Sequence, residues 1–256
     1  MRRARTLLAL ALLAAGAAGS GADDSLVLTV EADPGVGPPR GALEVLWLHR
    51  EARGHWNAGV LAAEAASARW LLASVGGSRA LGERWRLASR LRAGGGEDEG
   101  RRFDFGLAAV GLTYALRPAK LYLEGELLAY DVDRSRARLA KAGLLAAVGS
   151  RATFTLAYTA TVEGDGDAEY LSVRLDLQGA HRTLFLGGTV GETVSALLDP
   201  GAVSPTAVDY RQLFVGVRRP GPRLTVDLAL DFERVGGADR ASLKLGLHVP
   251  LRRTRS

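Results

Sequence analysis

Long runs of period-two alternation constrain this chain more than any other feature. Ala152, Phe154, Leu156, Tyr158, Ala160 and Val162 fall on one side of a strand, with Thr153, Thr155, Ala157, Thr159 and Thr161 on the other. Leu171, Val173, Leu175 and Leu177 alternate with Tyr170, Ser172, Arg174, Asp176 and Gln178. Leu224, Val226, Leu228, Leu230 and Phe232 alternate with Thr225, Asp227, Ala229, Asp231 and Glu233. The last such run sets Leu243, Leu245, Leu247, Val249 and Leu251 against Ser242, Lys244, Gly246, His248 and Pro250. Successive side chains of a strand point to opposite faces, so each run has an apolar side and a polar side. Length decides which solvent the apolar side meets. Strands of soluble sheets average about 5–6 residues, whereas a tilted strand that crosses a membrane needs about 9–11. These runs are nearer the second figure.

The start of the chain points to export. Arg2, Arg3 and Arg5 precede a stretch from Thr6 to Ala18 that is apolar or small apart from Thr6, and small residues continue to Ala22, just before Asp23 and Asp24. This pattern predicts a signal peptide over 1–22 and a mature domain over 23–256. Ser20 and Ala22 fit the small–x–small rule for cleavage, with Ala15 and Ala17 as a second candidate. The apolar stretch is shorter than the roughly 20 residues of a spanning helix. With no cysteine in the sequence, a lipoprotein anchor, disulfides and thiolate metal sites are excluded. The pI of 9.9 owes much to the leader: without its three arginines, 30 basic residues face 28 acidic ones. Their signs are mixed along the chain, which argues against a nucleic-acid partner. No later window reaches the roughly 18 uninterrupted apolar residues of a membrane helix, so a membrane role must come from strands. The competing architecture is a soluble sandwich or lipocalin-like barrel, which also alternates.

Fourteen segments can be marked, centred near Leu28, Val45, Ala58, Leu71, Leu87, Ala109, Gly125, Leu139, Leu156, Val173, Leu186, Val215, Leu228 and Leu247. The expected fold is all-β, an antiparallel transmembrane β-barrel of 12–14 strands. Its longer connections are expected at Asp33–Arg40, Gly94–Gly100, Glu163–Asp167, Gly191–Ala207 and Arg234–Arg240. Tight ones are expected around Arg53, Arg117–Pro118, Gly149–Ser150, Gly179–Ala180 and Pro220–Pro222. Short inner turns and longer outer loops are the rule for such barrels, although the stretch from Gly76 to Leu81 reads longer than its place in that order. Ala58–Ser74 and Ala137–Val148 are rich in Ala and Leu and would make acceptable helices on propensity. Closure of a barrel requires them as strands.

The last predicted strand carries the most specific pattern. Lys244, Gly246, Val249 and Leu251 resemble the C-terminal assembly signal of bacterial outer-membrane barrels: a polar residue, a glycine, then two apolar residues. The final apolar residue of that signal is usually aromatic and terminal, whereas here Arg252 to Ser256 follow Leu251. The resemblance implies outer-membrane localisation, contact with outer-membrane lipids, and presentation of the last strand to the barrel-assembly machinery.

The polar faces hold the candidate functional residues. Arg84, Arg86, Arg90 and Arg92 share one face, as do Tyr122, Glu124, Glu126 and Tyr130; Asp227, Asp231 and Glu233 form a third strip. With Lys244, these arginines and carboxylates are the expected lumen lining. They either set ion preference in a pore, through a field between the arginine and glutamate strips, or pair and fill the interior. Trp47, Trp56, Trp70, Trp85, Tyr114, Tyr130 and Phe232 are candidates for interfacial girdles. No catalytic constellation is found. An outer-membrane phospholipase places serine two residues after its catalytic histidine, but Glu51, Asn57, Thr183 and Pro250 occupy that position after His49, His55, His181 and His248. Glu163-Gly-Asp165-Gly-Asp167 lacks the remainder of an EF-hand loop and reads as an acidic outer loop. No metal or cofactor is expected. The chain is expected to act as a monomer and a non-enzyme. The first functional reading is a passive channel for small polar solutes. The alternatives are an accessory barrel for surface-polymer export with a filled lumen, and a lipid-modifying enzyme.

Overall fold

The computed structural model describes residues 24–33, 40–65, 68–117, 121–132, 135–194 and 207–251. The expected leader over 1–22 lies outside them, as do 34–39, 118–120, 195–206 and 252–256. The described residues form fourteen strands and no helix. In chain order these are β1 (Asp24–Ala32), β2 (Arg40–Glu51), β3 (Gly54–Ala65), β4 (Ala68–Ala80), β5 (Trp85–Asp98), β6 (Arg101–Arg117) and β7 (Leu121–Val132). There follow β8 (Ser135–Val148), β9 (Ala152–Gly164), β10 (Glu169–Gln178), β11 (Thr183–Val194), β12 (Ala207–Arg219), β13 (Thr225–Val235) and β14 (Ala238–Leu251). Every segment centre read from the sequence lies inside a strand, at the upper end of the expected count.

Each strand pairs antiparallel with its neighbours in sequence, and β14 closes on β1, where Leu28 faces Leu247. Closure leaves no edge. That matters in hydrocarbon, where an unpaired N–H or C=O finds no water. The same demand overrides helix propensity in the Ala- and Leu-rich stretches. Ala58–Ser74 runs through β3 and β4, apart from residues 66–67, which are outside the described set, and Ala137–Val148 belongs to β8. Propensity differences amount to at most about 0.7 kcal/mol per ordinary residue, less than a lost backbone hydrogen bond in lipid.

The loops differ from expectation. Gly94–Asp98 belongs to β5, leaving Glu99–Gly100 as the turn; β13 and β14 run up to and away from Gly236–Gly237; Gly76–Ala80 belongs to β4. The glycines of β5 serve packing instead of a loop: a Cβ on Gly94 would collide with the Leu71 carbonyl oxygen, and one on Gly96 with the Phe103 ring. Glu99 and Gly100 have φ of 47° and 80°, and Gly236 and Gly237 have 55° and 86°. Two consecutive left-handed residues match the twist of the flanking strands, so two-residue turns suffice. The described connections are therefore tight at both ends of the barrel. The remaining candidates for long loops, Asp33–Arg40 and Gly191–Ala207, have their middles outside the described residues.

Ion pairing tells which face is inside. Arg92 on β5 reaches Glu44 on β2 at 3.2 Å with two strands between them, a contact available only on the concave side. The alternation then places Leu127, Leu213, Leu228 and Leu245 outside, where they are exposed. An apolar cluster occupies the interior toward the end remote from the start of β1: Leu72, Phe105, Tyr130, Ala137, Leu139 and Ala168 are 2–7% exposed, with Leu61, Trp70, Leu107, Leu128 and Tyr170 packed against them.

Candidate functional site: the lumen

The inner wall below that cluster is charged, and its charges are arranged in local groups. On β5 to β8, Arg90 lies 3.4 Å from Glu126, and Lys141 lies 2.6 Å from Glu124 and 3.7 Å from Glu126. Arg86 donates to Ser78 Oγ at 3.1 Å, and the same oxygen lies 3.1 Å from His55 Nδ1. A cavity of ≈ 250 Å³ opens here, lined by His55, Asn57, Arg90 and Glu126 among others. Each group is placed by register: Arg90 faces Ala109, Gly111 faces Glu126, and Glu126 faces Lys141, so long side chains lean over small neighbours to meet.

A second group lies on β12, β13, β14 and β1. Lys244 Nζ sits 2.8 Å from Asp231 and 3.5 Å from Glu31. Gln212 donates to Asp231 at 2.8 Å and to Glu233 at 3.4 Å, and Tyr210 donates to Glu233 at 3.2 Å. Asp231 is only 3% exposed, so its charge depends on Lys244 and Gln212 to offset desolvation.

A third group spans β10 to β13. Arg174 binds Asp176 through two nitrogens at 2.9 and 2.7 Å, and Arg218 binds Asp227 through two at 2.8 Å. Such forked pairs hold the guanidinium plane in one orientation. Arg174 also lies over the Phe185 ring, 4.9 Å from its centroid. The Phe185 ring covers Gly216 and the Phe214 ring covers Gly187, where a Cβ would collide with each. The side chains of Arg90 and Arg218 remain 51% and 52% exposed.

The structure thus brings Arg86, Arg90, Arg92, Glu124, Glu126, Asp227, Asp231 and Lys244 to the inner wall, but not as opposed strips. Only β6 separates β5 from β7, so the arginines and glutamates share one side of the lumen and neutralise each other locally. The expected field across the pore is corrected accordingly. Arg84 lies in the turn before β5, and its Nη1 donates at 3.3 Å to Tyr114, a residue paired with outward-facing Trp85. Within β14, Lys244 and Gly246 face inward and Val249 and Leu251 outward. Two girdle candidates move: Trp70 and Tyr130 share the inward parity of Leu72 and Glu126 and join the interior cluster. Trp47 and Trp56 make an edge contact at 4.5 Å near the start of β1, and Trp85 and Tyr114 approach to 4.5 Å beside the same end of the barrel.

Glu31, Glu44, Lys141, Arg174, Asp176, Gln212 and Arg218 were not singled out by sequence reasoning. Arg174 and Asp176 were already visible on the polar side of their run, and weighting paired charges at i and i+2 would have selected them. Lys141 was hidden in a stretch that looks helical.

No protein-family model matches the sequence, and no curated protein matches it. Among solved structures, the CymD monoaromatic hydrocarbon channel superposes with a TM-score of 0.63 at 11% identity, covering 90% of this chain and 89% of its own. A bacterial polysaccharide outer membrane secretin gives 0.56 at 10% identity, covering 91% of this chain and 100% of its own. The KdgM porin gives 0.52 at 10% identity over 89% and 99%. Likeness at such identities concerns the fold. The closed sheet with its exposed apolar face is the architecture those outer-membrane β-barrels share.

Proposed function

We propose that the barrel is a passive channel for small polar solutes, without a strong preference for either ionic sign. The observation that carries this reading is Arg90: at mid-strand on the inner wall it is paired with Glu126, yet half of its side chain still meets solvent. Small barrels of about eight strands are filled by their own side chains, and barrel diameter grows roughly linearly with strand number, so fourteen strands form a wider ring to fill. Similarity to a channel and a porin supports the class and leaves the solute open. The buried cluster around Leu72 and Leu139 favours a second reading, an accessory barrel closed at that level.

Conductance in a planar bilayer separates the two. The channel reading expects discrete openings of the purified protein, with a reversal potential that moves toward cations in Arg86→Ser/Arg90→Ser, because the lining then carries less positive charge. Arg86 has a hydroxyl partner and Arg90 is half exposed, so that variant should lose only about 1 kcal/mol of stability or less. A folded but silent wild type would sink the channel.

A further inference from the structure

The outer face has a concavity of ≈ 520 Å³ at the end where β1 starts and β14 finishes, between the β8–β9 and β10–β11 turns. Its floor is one continuous row across four strands: Val148 faces Ala152, Ala152 faces Leu177, and Leu177 faces Leu184. Val148, Leu177 and Leu184 are exposed, and Ala152, the smallest of the four, makes the dip. The row is continuous with the apolar face that meets lipid, so whatever fills it is bathed in acyl chains.

The rim has a different chemistry. Arg151 and Arg182 line it, and no lining residue is acidic. Both arginines are exposed, and neither forms an ion pair with a described residue. Several other exposed arginines, Arg53, Arg117, Arg219 and Arg223 among them, are likewise outside the ion pairs of the described residues; what sets Arg151 and Arg182 apart is the apolar row that lies between them. The Gln178 N–H donates to the Arg151 carbonyl at 2.6 Å, tying the end of β10 to the β8–β9 turn, and the Gly179 N–H donates to the Arg182 carbonyl at 2.7 Å, closing the β10–β11 turn. The backbones that carry the two guanidinium groups are therefore fixed beside an apolar trough.

We propose that this concavity binds one inner-leaflet phospholipid with an anionic headgroup, its phosphate held by Arg151 and Arg182 and one acyl chain lying over Ala152. In barrels of this kind short turns face the inner side and longer loops the outer; the two longest connections, 33–39 and 195–206, join strands at the opposite end from the trough, which places the trough where the inner leaflet's headgroups meet its chains. A guanidinium offers forked donors to phosphate, and an unpaired pair of them beside apolar surface matches such a lipid at both of its ends.

Native mass spectrometry of the full barrel, with dioleoyl phosphatidylglycerol or dioleoyl phosphatidylcholine added, tests this. One phosphatidylglycerol should be retained in preference to phosphatidylcholine by roughly ten-fold or more, from two basic groups each favouring an anionic lipid. Arg151→Gln/Arg182→Gln should abolish that preference while the protein keeps its folded gel mobility. Ala152→Trp, which fills the dip without touching the arginines, should lower retention of phosphatidylglycerol. Equal retention of the two lipids by the wild type, or a preference that survives the double variant, would overturn the proposal. So would inorganic phosphate binding as tightly as the lipid, since the apolar row would then contribute nothing.

Discussion

Leu228 and Ala229 are consecutive residues of β13 that meet different surroundings. Leu228 is 43% exposed on the outer face, whereas Ala229 faces Lys244 and Gly216 on the inner wall. Leu228→Arg should therefore cost about 2–4 kcal/mol if it lies near the bilayer midplane, and Ala229→Arg should be tolerated better. Urea unfolding of each variant in lipid vesicles measures both. A reversed order of severity would mean that the faces are assigned the wrong way round. Parity of this kind was legible in the sequence for Leu228, Asp231 and Lys244, because alternation needs no partner to be seen. Partners were not legible. Whether Arg90 faces Glu126 across a pore or leans over Gly111 to meet it depends on which strands are neighbours. Trp70 and Tyr130 show the converse error: their amphipathic rings suggested an interface, while their parity with Leu72 and Glu126 already placed them inside.

At the scale of the strand, composition misled where geometry decided. Gly94, Gly95 and Gly96 looked like a loop and are the points where β5 lies close against its neighbours. Ala- and Leu-rich β8 looked helical and is held extended by β7 and β9. The closing strand carries the sharpest test. Gly246 pairs with Asp227 on one side and Thr29 on the other, and a Cβ there would lie 3.2 Å from the Asp227 Cβ. Gly246→Asp sets a carboxylate against a carboxylate between β13 and β14, on the strand that must close the seam with β1. Removal of Val249–Ser256 takes away residues that pair with the first residues of β1. Both changes should sharply reduce the heat-modifiable, membrane-assembled form while total exported protein stays level, since an open seam leaves backbone groups unpaired in lipid. Unimpaired assembly of the truncated chain would show that its terminal pattern has no part in the process.

For the whole molecule, the apolar fraction carries almost no information. At 47% apolar residues the chain has the composition of an ordinary soluble domain, about 45–50%. What differs is where those residues go. A soluble protein gathers its large apolar side chains inside and exposes them singly. Here Leu91, Val110, Leu127, Leu213 and Val215, on four different strands, are each about half exposed or more, while Arg92, Glu44, Lys244 and Asp231 meet within. An exposed face of this extent would drive aggregation in water, and closure of the sheet removes any other way to cover it. The purified protein should therefore stay dispersed only in detergent or lipid. It should migrate faster unheated than boiled, because the intact barrel resists unfolding by detergent until heat breaks its hydrogen-bonded ring. Fractionation of cells with separate recovery of periplasm and outer membrane checks the same point in place. A monodisperse, detergent-free protein in the periplasmic fraction would mean that the lipocalin-like architecture, with its apolar side inward, is the correct one.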